Sequence, residues 1–142
     1  MCYGWEPDDI VQIITNLQKN KENNALEIIN KSLEETALEL GKTYRDKDYP
    51  DINLKNLISH IINKNNENLE IIKNELNEII IETKYCKIYE IFNSLNCLDI
   101  GFQYKCRQDY FILNGYDNTS VLTIEKCLMK GDKYCIHRYI KN

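Results

Sequence analysis

Apolar residues recur along this chain with two different periods, and the change of period divides it. Near the start, Ile10, Ile13, Ile14 and Leu17 share one helical face, with Asp8 or Asp9 placed to cap it. Asn16 to Asn24 is polar and interrupts the pattern. Leu26, Ile29, Leu33, Ala37, Leu40 and Tyr44 then mark a second helix running to about Tyr44. Tyr49-Pro50 stops it, because proline disfavours helical geometry in the residue before it. Asp51 or Asn53 caps a third helix, whose apolar face is Leu54, Leu57, Ile58, Ile61 and Ile62.

From Asn68 the helical and strand readings compete. Leu69, Ile72, Leu76 and Ile79 fit a helix, but the β-branched runs Ile71-Ile72 and Ile79-Ile80-Ile81 favour two strands joined near Asn74 to Asn77. A short helix follows over Lys87 to Leu95, with Ile88, Ile91 and Phe92 inward, and another over Gln103 to Leu113. Ser120 to Met129 and Tyr134 to Ile140 read as the two strands of a closing hairpin, turned at Lys130-Gly131-Asp132, where Gly131 can take positive φ.

Helices come first and strands mainly second. The expected fold is α+β: N-terminal helices on one side of an antiparallel sheet that ends in a β-hairpin. One domain spans 1–142, mainly helical over 1–66 and a sheet with short helices over 67–142.

Composition narrows the function. The 142 residues are 43% hydrophobic and 28% charged, with a net charge of −4, and lysines are interspersed with glutamates. That is not the basic footprint of a nucleic-acid binder. No apolar run approaches the roughly 18 residues of a membrane span, and the first residues lack a secretory signal pattern, so a cytoplasmic protein is expected. In a reducing compartment the six cysteines read as thiols or metal ligands rather than disulfides.

In the closing hairpin Cys127 falls directly across from Cys135, where opposed Cβ atoms lie about 4.5–5.5 Å apart. Strand parity adds Glu125 and His137 to the same face. Thiolate, imidazole and carboxylate are ligands that zinc accepts, so this face could hold zinc or iron; from spacing alone, two buried, unreactive cysteines are the favoured account. Cys86 ends a strand just before a helix N-terminus, which favours a thiolate. Cys106 and Asp109 stand three apart on one helical face. Cys97 reads as core, Cys2 as part of a terminus, and His60 as a boundary histidine.

The ordered set Thr83-Lys84-Tyr85-Cys86, Cys106-x2-Asp109, Thr123-Ile124-Glu125-Lys126-Cys127 and Gly131-Asp132-Lys133-Tyr134-Cys135-Ile136-His137-Arg138-Tyr139 resembles the L-2-amino-thiazoline-4-carboxylic acid hydrolase-like family. The closing hairpin is also similar to 4-vinyl reductase small-molecule-binding domains, which share the Cys-x7-Cys element. Lys87 stands where these families usually have proline. Ile124 stands where zinc-binding members of the second family have an acid, with Glu125 one step away.

The second resemblance implies a small-molecule-binding domain with a cysteine-lined, metal-pinned site formed by Cys106, Cys127, Cys135, Glu125 and His137, and a homodimer or protein partner to transmit the signal. The first implies a hydrolase that opens a small thiazoline-type ring with Cys106, Asp109 and Cys86 as catalytic candidates. A non-catalytic protein-interaction scaffold is the third reading.

Overall fold

The fold is taken from a computed structural model that describes residues 9, 11–13, 15, 16, 23–64 and 68–142. Residues 9, 11–13, 15 and 16 are helical, as the first apolar stripe predicts; Ile10, Ile14, Leu17 and Cys2 lie outside the described residues.

Helix α1 (Asn23–Asp48) is the longest element and α2 (Leu54–Lys64) follows the proline turn. Asn53 caps α2 as expected: its side-chain oxygen accepts the Asn56 N–H at 2.9 Å. The strand reading prevails after residue 67, with β1 (Asn68–Asn74) and β2 (Glu78–Tyr85) forming an antiparallel hairpin. Two short helices, α3 (Lys87–Ser94) and α4 (Leu98–Gly101), lead into a π turn (Phe102–Cys106) and then α5 (Gln108–Tyr116). The single helix expected over Gln103 to Leu113 is thus two pieces, because the π turn inserts an extra residue that helical periodicity cannot reveal. The closing hairpin is β3 (Ser120–Lys126) and β4 (Cys135–Lys141), joined by a 3-10 turn (Leu128–Lys130) and Gly131 at φ 93°. The left-handed turn needs glycine at that place.

The four strands form one antiparallel sheet in the order β1-β2-β4-β3. Its inner face carries Ile79, Ile81 and Thr83 from β2, Tyr139 from β4 and Leu122 from β3, all buried. This confirms the α+β architecture with helices on one side. Ala37 and Tyr44 of α1, Leu57, Ile58 and Ile61 of α2, and Leu113 and Tyr116 of α5 complete a hydrocarbon core with these strands. Fully burying one such aliphatic side chain contributes about 1.5–3 kcal/mol.

Helices α1 and α5 approach closely. A Cβ on Gly41 would collide with the Ile112 carbonyl, and one on Gly115 with the Leu38 carbonyl. Reciprocal glycines therefore set this crossing. Beside it, Asp48 accepts from Tyr116 Oη at 2.6 Å and pairs with His60 Nε2 at 2.9 Å, while His60 stacks on Tyr44 with ring centroids 4.4 Å apart. His60 thus ties α2 to α1, and Asp48 links both to Tyr116 of α5. Burial opposes ionisation of Asp48, but the Tyr116 and His60 hydrogen bonds outweigh it and hold the carboxyl below its usual range.

On the outer sheet face, Lys73, Glu78, Arg138 and Glu125 form a chain of ion pairs that crosses all four strands. Ile80 and Ile136, which alternate with the inward residues of β2 and β4, are 8% exposed.

Candidate functional site

A second apolar cluster lies at one end of the sheet, and it is rich in sulfur. Phe92, Cys97, Cys127, Leu128, Met129 and Cys135 are buried in it, with Cys86 and Cys106 packed against it. Where this cluster meets the hydrocarbon core a pocket of about 50 Å³ opens to solvent. Ile61, Ile81 and Tyr139 supply its apolar wall. Cys86, Cys106, Asp109, Cys135 and His137 also line it, together with Lys105 and Thr83.

Five of the seven residues singled out from the sequence therefore share one pocket. Their positions follow from local structure. His137 and Cys135 alternate with Ile136 on β4 and face the helices. Asp109 lies in the first turn of α5 and Cys106 ends the π turn before it, so the three-residue spacing does bring them to one side. His137 Nδ1 and Asp109 Oδ2 stand 3.6 Å apart, with both side chains less than one-fifth exposed.

Cys86 is the N-cap of α3, and its sulfur accepts the Tyr89 N–H at 3.4 Å. The helix-terminus position read from the sequence is correct, and it commits that sulfur to a capping bond.

Cys127 sits just past the end of the ladder, which closes with Lys126 opposite Ile136. It is 1% exposed and is not part of the pocket wall. Asp132 fixes its backbone by accepting the Cys127 N–H at 2.8 Å, and Cys135 Sγ accepts the Leu128 N–H at 3.2 Å. The sulfurs of Cys106 and Cys127 are 3.9 Å apart. Thiol hydrogen bonds from Cys106 and Cys135 favour Cys127 as the sulfur that ionises first. The same contacts, with burial, push the Cys106 and Cys135 thiols up.

Glu125 departs from the expected face. Glu125 alternates with the inward Leu122 and Ile124 and so faces outward, where it pairs with Arg138; the register shift between Ile124 and Lys126 is what breaks its expected parity with Cys127. A bulge of this kind reverses side-chain parity. Of the expected metal ligands, the sulfurs of Cys106, Cys127 and Cys135 meet, but Glu125 and His137 do not join them. Glu125 is across the sheet, His137 faces Asp109, and Cys135 is turned to a backbone amide. Among the described residues no three His, Cys, Asp or Glu side chains are grouped so as to hold a metal ion.

Lys105 and Thr83 are pocket residues that site reasoning from the sequence did not single out. Strand parity was available for Thr83, which lies two residues beyond Ile81 on the inward face of β2. Lys105 lies in the π turn, where no periodic signal exists.

The family model for L-2-amino-thiazoline-4-carboxylic acid hydrolase matches residues 5–139. The chain belongs to that family. A search of curated proteins finds no match. The match covers the helical half as well as the hairpins, so the resemblance read from residues 83–139 extends to nearly the whole chain. It supports the hydrolase-like reading over the 4-vinyl reductase-type binding domain. No described helix is long and apolar enough to cross a membrane.

Proposed function

We propose that this protein is a hydrolase that opens a small thiazoline-type ring, with Asp109 and His137 as its acid–base pair. The family match supports the reaction class, and the meeting of Asp109 and His137 in the pocket is the observation that carries the assignment of residues. Two titratable groups from α5 and β4, joined only by folding, face each other beside the apolar wall of Ile61, Ile81 and Tyr139.

The chemistry follows from that arrangement. Asp109 lies on the Nδ1 side of His137, so it favours the tautomer with its proton on Nδ1 and leaves Nε2 as a base. A separation of 3.6 Å is longer than a hydrogen bond, and catalytic contacts often tighten only when substrate binds. His137 takes a proton from water as the oxygen adds to the ring carbon between nitrogen and sulfur. The tetrahedral adduct collapses, one ring bond breaks, and the imidazolium returns the proton to the departing heteroatom. One water is added and nothing else is consumed. Lys105 supplies positive charge along the pocket wall, and Ile61, Ile81 and Tyr139 hold the ring away from bulk water.

The test is hydrolysis of L-2-amino-thiazoline-4-carboxylic acid by the wild type, Asp109→Asn, His137→Gln and Cys106→Ser. Loss of turnover in the first two variants, with folding retained, is the expected result. A covalent adduct trapped on Cys106, with turnover abolished in Cys106→Ser, would move the chemistry to sulfur and overturn the assignment. Turnover absent from the wild type, with the substrate still raising the melting temperature, would leave a binding domain in place of an enzyme.

A further inference from the structure

The sulfur cluster holds a feature that ring hydrolysis does not use. Cys106 and Cys127 come from separate parts of the chain, yet their sulfurs are in van der Waals contact at 3.9 Å. They differ in access: Cys106 lines the pocket, whereas Cys127 is 1% exposed behind it. One reachable thiol beside one sheltered thiol is the arrangement of a redox-responsive pair, in which the first meets the oxidant and the second resolves it.

We propose that Cys106 and Cys127 are a reversible oxidation site, at which a hydroperoxide entering through the pocket converts the two thiols to a disulfide. The Cys106 sulfur attacks the peroxide O–O bond as its proton passes to the neighbouring Cys127 sulfur. Cys106 becomes a sulfenic acid, and the peroxide is reduced, releasing hydroxide or alkoxide. Cys127 then attacks the sulfenic sulfur, the S–O bond breaks, and the oxygen leaves as water with the Cys127 proton. Two electrons pass from the thiols to one peroxide, and a dithiol reductant reverses the step by exchange.

Position selects this pair over others in the cluster. Cys106 and Cys135 both line the pocket and both hydrogen-bond the Cys127 sulfur, but Cys106 is half-buried whereas Cys135 is 8% exposed with its sulfur held by the Leu128 amide, and Cys86 caps α3. Cys127 has its backbone fixed by Asp132, while Cys106 ends a π turn, a local irregularity that can shift with less disruption than a regular helix. Moving the sulfurs to bonding distance takes a displacement of about 2 Å.

The experiment needs no hydrolytic activity, so its outcome is independent of the reading above. Reduced wild-type protein is treated with hydrogen peroxide, digested without reductant, and mapped by mass spectrometry. The expected result is a loss of about two mass units per chain, in a linked peptide pair containing Cys106 and Cys127 and cleaved by dithiothreitol. Cys135→Ser should still form this link, and Cys127→Ser should instead leave a dimedone-trappable sulfenic acid on Cys106. A bridge joining any other pair in the wild type, or oxidation without a bridge, would overturn the proposal even if a variant fails to fold.

Discussion

The two apolar clusters of this protein are built by different rules. The hydrocarbon core is assembled from long regular elements, and its polar intrusion, Asp48 with His60 and Tyr116, is fully hydrogen-bonded. The sulfur-rich cluster is assembled from short helices, a π turn and a 3-10 turn, and its polarisable atoms contact one another and the pocket. The first cluster sets where the backbone goes. The second supplies reactive side chains, on segments whose exact course depends on that support. The pocket lies at their boundary and draws its apolar wall from one and its sulfur from the other.

The comparison breaks most decisively at the proposed acid–base pair, Asp109 and His137. His137→Gln should lower turnover of a thiazoline substrate by about 10²–10⁴-fold, the usual reach of general base catalysis, with the melting temperature nearly unchanged. Asp109→Asn should lower turnover in the same direction. If either variant instead unfolds the chain, the residue belongs with the scaffold.

The next effect belongs to the hydrocarbon side. Gly115→Ala puts a methyl group against the Leu38 carbonyl and should cost about 1–3 kcal/mol, read by urea denaturation. Tyr116→Phe should cost about 1–3 kcal/mol, because Asp48 loses a buried donor. Asp48 also gives a pH test. Its carboxyl is held below the usual range, so its contribution is present above the unfolded carboxyl pKa, near pH 4, and is lost as pH falls through the lower folded value. Asp48→Asn should flatten that acid limb.

Cys86 sharpens the contrast at smaller scale. If its sulfur acts only as a helix cap, Cys86→Ser should keep both stability and turnover, whereas Cys86→Ala should cost about 0.5–2 kcal/mol. The smallest effect is expected on the outer face. Glu78→Gln breaks the chain of ion pairs at its middle, and the resulting shift in melting temperature should shrink as salt is added.

Much of this division was legible in the sequence, and unevenly. The hairpins, the Asn53 cap and the Cys86 cap follow from β-branched runs and short-range hydrogen bonding, which are local effects. Cys106 and Asp109 were placed together because three-residue spacing survives the passage from π turn to helix. Glu125 was placed on the wrong face because a bulge leaves no mark on alternation. His60 is the boundary residue expected, but its pairing with Asp48, twelve residues earlier on α1, gave no local signal because folding alone brings the two helices together. Local chemistry announces caps and turns; contacts made by packing distant elements do not announce themselves.

That glycine crossing also has a consequence for motion. With backbones touching at Gly41 and Gly115, α5 cannot slide along α1 without separating from it, so the wall that carries Asp109 is anchored. The opposite wall includes Leu69 from β1, an edge strand with a single hydrogen-bonded neighbour. Breathing that admits a substrate should therefore occur at the β1–β2 hairpin. Amide exchange should be fastest in β1 and slowest where α1 meets α5, so that the pocket opens like a door hinged on its sheet side.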